Sequence, residues 1–177
     1  IVHESAIFPF VQQLLIGFGL LSILVVIPFM LVQHDIKRLL AYSSVEHMGI
    51  ITLALGIGSP LAVYGALIHI FNHAVAKSAL FYLVGTITQE YKTKQIMRIR
   101  GMMKATPLLG WLLLLLVLII TGAPPFGIFF SKLIIAWAAF AGGFAVVGTM
   151  LLVLLGAVFA GMLYYVFQMD FAGHHAV

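Results

Sequence analysis

Five long apolar stretches, each closed by a short polar or Gly/Pro break, constrain this chain more than any other feature. A helix needs about 20 mostly apolar residues to cross a hydrocarbon core of about 30 Å. The first stretch runs from about Pro9 to Val32 and is closed by Gln33-His34-Asp35-Ile36-Lys37-Arg38. The second runs from about Leu39 to Ile57 and stops at Gly58-Ser59-Pro60, a turn signal. The third covers about Leu61 to Thr88, the fourth Pro107 to Ala141, and the last about Phe144 to Met169, before a tail with His174-His175. With 63% hydrophobic and 8% charged residues and a mean hydropathy of +1.19, the chain lacks the polar groups to coat a soluble domain or to stay disordered. The runs are continuous rather than alternating, which argues against an outer-membrane barrel. Zero cysteines exclude disulfides, Cys-held iron–sulfur clusters and Cys-ligated zinc. The expected fold is all-α, a polytopic transmembrane bundle of about five spans in one domain covering 1–177. Because it begins at Ile1 and shows no cleavable leader, the sequence is expected to be a processed chain or a piece of a longer protein.

The fourth stretch is too long for one straight span, reaching about 52 Å at 1.5 Å per residue. It is interrupted by Gly122-Ala123-Pro124-Pro125-Phe126-Gly127. Pro124 and Pro125 remove two backbone donors and disfavour helix at the residues before them. The run is therefore two short helices or one discontinuous helix, and irregular backbone at membrane depth survives only inside protein or beside a water-filled cavity. Each half is shorter than a normal span, which favours the discontinuous reading. Counting it as one span puts Lys37, Arg38, Lys92, Lys94, Arg98, Arg100 and Lys104 on a single side of the membrane, a positive-inside pattern that predicts cytoplasmic basic loops.

Ionisable groups inside spans are costly and need a reason. His69, His73 and Lys77 stand at i, i+4 and i+8, so they share a helix face, with Asn72 bordering it. Such a ladder suits a proton relay; the alternative is hydrogen bonding that packs helices. A metal site is disfavoured, since no Cys and few carboxylates accompany the histidines. Glu46 and His47 lie about two turns into the second span. Glu46 is either the acidic partner of a buried base or an interfacial carboxylate near the basic loop. Lys132 follows the Pro-Pro break; a broken helix end offers free carbonyls to a cation, and Thr121 and Ser131 could order water there. Snorkelling to the interface is the competing account of Lys132. Asp35 ahead of Lys37-Arg38 suits a helix start, and Gly156, Ala160 and Gly161 suit close helix packing. The basic loop is better explained by topology than by nucleic-acid binding, so no nucleic-acid partner is expected.

Three separated motifs resemble one family. Asp35-Ile36-Lys37-Arg38-Leu39-Leu40-Ala41-Tyr42-Ser43-Ser44 is similar to a signature of the antiporter-like, proton-conducting subunits of respiratory complex I, Mrp-type sodium/proton antiporters and group 4 membrane-bound hydrogenases. His69, His73, Ala76, Lys77, Leu80 and Phe81 resemble that family's His-rich helix. Ala123-Pro124-Pro125-Phe126-Gly127 with Phe129-Phe130-Ser131-Lys132 resembles its discontinuous helix, and Ser44-Val45-Glu46-His47-Met48-Gly49 is most similar to the F-type subunit of hydrogenase-4 complexes. The resemblance implies that these spans are the second of two inverted five-helix repeats in a protein of about fourteen spans. It implies a proton pathway along Lys77, His73, His69 and Lys132, with Lys37 a candidate and Glu46 tuning the entry; His47, beside Glu46, is counted among the pathway residues. It implies no cofactor in this chain, with Fe–S, NiFe or flavin centres only in partner subunits. The expected partners are other membrane-arm subunits, the lipid bilayer, protons and, in one alternative, Na+; the expected location is a prokaryotic-type inner (cytoplasmic) membrane.

Four functions remain open on the sequence: a proton-translocating subunit of a redox complex, a stand-alone cation/proton antiporter subunit, a membrane scaffold or anchor, and a membrane enzyme with His69 and His73 as metal ligands. Sodium-dependent flux without redox partners, retained pumping without Lys77 or Lys132, and bound metal would single out the last three in turn.

Overall fold

A computed structural model describes residues 7–171; the His174-His175 tail lies outside the described residues. The chain forms α1 (Ile7–Leu31), α2 (Ile36–Ile57), α3 (Pro60–Glu90), α4 (Met102–Ala105), α5 (Pro107–Thr121), α6 (Gly127–Ala141) and α7 (Ala145–Phe171), with a 3-10 turn at Ile96–Arg98. Among the described residues there are no strands. Four helices, α1, α2, α3 and α7, are long and apolar enough to cross a membrane, and α5 and α6 are shorter apolar helices.

Local chemistry sets the helix ends. Asp35 caps α2, accepting from the N–H groups of Lys37 (2.9 Å) and Arg38 (3.3 Å). The second helix therefore starts at Ile36, three residues before the expected Leu39, because the cap carries Lys37 and Arg38 into its first turn. Gly58 closes α2 at φ 68, a left-handed geometry suited to glycine. Ser59 then caps α3, and Pro60 occupies its first turn, where no N–H is needed. The third helix continues to Glu90 and the last to Phe171, each two residues past expectation.

Side-chain pairings fix the path of α5 and α6. The Tyr91 hydroxyl at the end of α3 meets the Thr106 hydroxyl just before α5 at 2.9 Å. Leu113, Val117 and Ile120 of α5 share a core with Leu80, Leu83, Val84 and Ile87 of α3. The first residue of α6, Gly127, lies against Asn72, and Ile134 and Ile135 lie against Gly65 near the start of α3. The two 15-residue helices thus run one after the other down the length of α3, as the two halves of a single broken crossing. At about 22 Å each, neither half could span alone. Helix α7 returns along both halves: Gly148 packs on Phe140, Leu155 lies beside Thr121 and Lys132, and the Asp170 carboxylate lies against Gly110. The five crossings alternate in direction, so the basic residues 37, 38, 92, 94, 98, 100 and 104 all gather at one end of the bundle.

That end is sewn together by backbone. The Ile36 N–H donates to the Lys94 carbonyl at 3.0 Å, and the Ile96 N–H to the His34 carbonyl at 2.9 Å. Ile96, Ile99 and Met102 are buried, so the polar stretch after α3 is anchored by an apolar residue every third position. Asp35 also pairs with the exposed Lys94 at 3.1 Å. Burial pushes the Asp35 carboxyl up, but Lys94 and the two capping N–H groups outweigh it and hold it below the ordinary carboxylate value. Asp35→Ala is expected to cost about 0.5–2 kcal/mol through the lost cap, whereas Lys94→Ala costs less because an exposed ion pair contributes little. A carboxyl held low stabilises above its unfolded pKa and loses that contribution as pH falls through the folded one. The gap in thermal stability between wild type and Asp35→Ala should therefore close as the pH falls below about 4.

Candidate functional site

The buried polar groups of α2, α3 and α6 converge. Glu46, His47, His69, His73, Lys77, Ser131 and Lys132 are all buried, with Glu46 only 1% exposed in a bundle otherwise filled by Ile, Leu and Ala. The helical spacing read from sequence does bring His69, His73 and Lys77 to one inward face of α3. What that spacing could not give is what meets them.

Lys132 Nζ donates to Glu46 Oε1 at 3.0 Å and to the Thr121 carbonyl at 3.1 Å. The carboxylate comes from α2, the carbonyl from the last turn of α5 and the amine from α6. The amine is therefore held where the broken helix ends, and Glu46 is its buried counter-charge rather than an interfacial carboxylate. Gly122 makes this approach possible: it closes α5 at φ 85, and a β-carbon there would stand 3.2 Å from Lys132 Cδ. Gly127 is needed for a second reason, since a β-carbon there would meet the Asn72 amide at 2.8 Å. The Pro124–Pro125 peptide between them is cis.

The histidines form a chain whose proton positions follow from its far end. Ser131 Oγ donates to the Ile128 carbonyl at 2.9 Å. It must then accept from His69 Nδ1, which is 2.8 Å away. A neutral His69 so protonated offers Nε2 as acceptor to His47 Nδ1 at 2.9 Å. His47 Nε2 is left bare: it is buried with no hydrogen-bond partner, and the nearest carboxylate oxygen, Glu46 Oε2, is 3.9 Å away. The His73 ring lies 4.4 Å from that of His47, centroid to centroid and tilted by 39°, and its Nδ1 is likewise buried without a partner. At the other end of the ladder, Lys77 Nζ donates to the Leu40 carbonyl and to Ser43 Oγ. The order along the bundle is Lys77 nearest the basic end, then His73, then His47 and His69, with the Lys132–Glu46 pair at the helix break.

Lys37 is not brought to this cluster. It is exposed in the first turn of α2, about 13 Å along the helix axis from Glu46. Ser43 and the Leu40 carbonyl are partners that charge-based reading passes over, while Ser131, expected to order water at the break, bonds His69 instead. Asp170 was also hidden: the expected helix ended at Met169, yet α7 continues and Asp170 is 1% exposed, with no hydrogen-bond partner on either oxygen. Gly161 does mark close packing, against Leu31, but Gly156 has nothing within 4 Å of a built β-carbon, and Ala160 faces outward. The latter two do not serve helix contact within this chain. Among the described residues no group of three or more His, Cys, Asp or Glu is placed to hold a metal ion.

Residues 2–162 match the transmembrane family described as NADH:quinone oxidoreductase/Mrp antiporter. The chain belongs to this family. It is 44% identical over 128 residues to a "Hydrogenase-4 component F homolog" of Methylacidiphilum infernorum, a match covering 72% of this chain and 27% of that protein. It is 34% identical over 108 residues to a Na(+)/H(+) antiporter subunit of Alkalihalophilus pseudofirmus, covering 61% of this chain and 22% of that one. Its fold superposes with a TM-score of 0.87 on a chain of respiratory complex I from Thermus thermophilus, at 28% identity, over 96% of this chain and 36% of that chain. The chain thus spans about a quarter to a third of the length of these relatives. It is an integral membrane protein of a family whose solved members sit in multisubunit membrane complexes.

Proposed function

We propose that this chain is part of a proton-translocating membrane subunit of a redox-driven complex, of the membrane-bound hydrogenase or NADH dehydrogenase type. Protons would move along Lys77, His73, His47, His69 and Lys132. The observation that carries the reading is the buried hydrogen-bonded sequence Ser131–His69–His47, ending in a bare imidazole nitrogen beside the Glu46–Lys132 pair. A proton accepted at His47 Nε2 creates an imidazolium next to Glu46 Oε2. Its Nδ1 proton can then pass to His69 Nε2, which leaves the charge on His69 with its Nδ1–H still donated to Ser131 Oγ. Each transfer needs only a short move between atoms already in line, and no substrate bond is broken. A proton placed on Glu46 instead would release Lys132 from its counter-charge.

The remaining parts of the reading are proposals of the same kind. The subunit sits in a prokaryotic inner membrane with its basic end cytoplasmic, beside other membrane-arm subunits, and any Fe–S, NiFe or flavin centres belong to partner subunits. The test is redox-driven acidification of liposomes containing the whole complex, with and without Na+. Sodium-dependent proton flux in the absence of electron donor would overturn the redox reading in favour of the antiporter one. Ser131→Ala in the full-length subunit removes the group that orders the histidine tautomers, and flux should fall on the order of tenfold, the rate equivalent of about 1.4 kcal/mol from one hydrogen bond. Ser131→Thr, which keeps the hydroxyl, should recover most of it.

A further inference from the structure

Among the described residues, Asp170 is the buried acid that the cluster of α2, α3 and α6 does not use. It lies in the last turn of α7, at the basic end of the bundle. Neither carboxyl oxygen has a hydrogen-bond partner, and neither is open to water. A β-carbon at Gly110 of α5 would stand 3.2 Å from Asp170 Oδ1 and 3.1 Å from Met103 Sδ, so a glycine and a methionine form its near surroundings. Helices α1 and α5, both packed on α7, contain no titratable residue. On α7 itself the Tyr165 hydroxyl donates to the Leu31 carbonyl, and Tyr164 is exposed. In the turn between α1 and α2, His34 is exposed and Asp35 is paired with Lys94. Residues 96–105 close over this end of α7, with Ile96, Ile99 and Met102 in one core with Val166 and Met169. They carry Arg98 and Lys104, both exposed, and Arg100, which is half-buried. Arg100 donates to Met97 Sδ at 3.5 Å, and its Nε is buried with no partner.

An ionised carboxylate alone in such a place is strongly disfavoured, so the group must be paired with a cation or be neutral. No cation among the described residues pairs with it, and its burial leaves no opening for one from another chain. A proton carried on the carboxyl itself needs no such opening. We propose that Asp170 is a proton-binding site apart from the histidine–lysine relay, and that Arg100 becomes its counter-charge when the proton leaves. Arg100 stands three residues before Met103, and each of the two side chains holds a buried polar atom without a partner. Pairing them satisfies both and draws residues 96–105 onto α7, so proton occupancy sets how tightly this end is closed. The site is set off from the relay by distance and by packing. Lys77 lies about 21 Å along α3 from Tyr91, which ties α3 to Thr106 at the start of α5, and Leu80, Leu83, Val84 and Leu113 fill the core between.

Infrared difference spectra of the whole complex in membranes test both halves. At neutral pH, wild type minus Asp170→Asn should show the C=O band of one protonated carboxylic acid. Asp170→Glu should shift that band rather than remove it, and carries the test if Asp170→Asn does not assemble. A spectrum in which neither substitution touches such a band means an ionised carboxyl and overturns the proposal. As the buffer is made alkaline, wild type should lose the band. Arg100→Gln, which lacks the replacement cation, should retain it in a buffer that abolishes it in wild type. A band lost at the same pH in both, or lost in neither, overturns the role of Arg100. Redox-driven proton flux at neutral pH should persist in Asp170→Asn; its loss would place Asp170 on the relay and overturn the separation of the two sites.

Discussion

Lys132→Ala should both destabilise the subunit and stop redox-driven proton flux, and a second substitution should separate the two effects. The single change removes the partner of Glu46, a carboxylate 1% exposed. Breaking a buried pair from one side costs about 3–5 kcal/mol, because an uncompensated charge remains. Replacing both partners with neutral groups of similar shape is far milder. Lys132→Met combined with Glu46→Gln is therefore expected to recover most of the thermal stability of the solubilised complex while flux stays at background. Recovery of flux in the double variant would show that the pair is structural, and would restore the scaffold reading. The Thr121 carbonyl sharpens the expectation. It also loses its 3.1 Å donor in Lys132→Ala, so the end of α5 loosens together with the ion pair.

The second large effect lies away from the ionisable groups. α1 and α2 meet through glycine: a β-carbon at Gly49 would stand 2.8 Å from the Gly19 carbonyl oxygen and 2.9 Å from Ile23 Cγ1, and one at Gly19 would stand 2.7 Å from the Leu53 backbone nitrogen. Backbone cannot yield as a flexible side chain can. Gly49→Val should force the helices apart and cost at least about 1–3 kcal/mol, the usual range for overpacking. Gly49 is three residues from Glu46, so the shift should also lengthen the Glu46–Lys132 contact and lower flux. Yield of assembled complex and its melting temperature check the first effect, and flux per assembled complex checks the second. Gly17→Val, where a β-carbon meets nothing within 4 Å, is the matched control and should leave both unchanged.

Much of the framework was legible because it depends on local order along the chain. Apolar run lengths required membrane helices, the Pro-Pro interruption required a break, and the i, i+4, i+8 spacing required His69, His73 and Lys77 to share a face. The distribution of basic residues is likewise a property of the chain, and it stays at one end of the bundle once the fold forms. Even the resemblance to complex I, Mrp and hydrogenase subunits rested on short contiguous motifs, which is why it could be read without a structure.

The partners of those residues could not be read this way, because each lies on another helix. Glu46 and Lys132 are separated by 86 residues, and His69 and Ser131 by 62; no periodicity relates positions so far apart. Only packing decided that Glu46 faces Lys132, that Lys77 rests on Ser43 and the Leu40 carbonyl, and that Lys37 stays outside the cluster. The same holds for the small residues of α7. Composition treats Gly156 and Gly161 alike, whereas the fold makes Gly161 a contact and leaves Gly156 exposed. By itself the sequence determined which ionisable groups fall inside long apolar runs, where desolvation makes each of them costly. The tertiary structure decided which of them touch, because hydrogen bonds and ion pairs act over a few ångströms and only the folded bundle sets those distances.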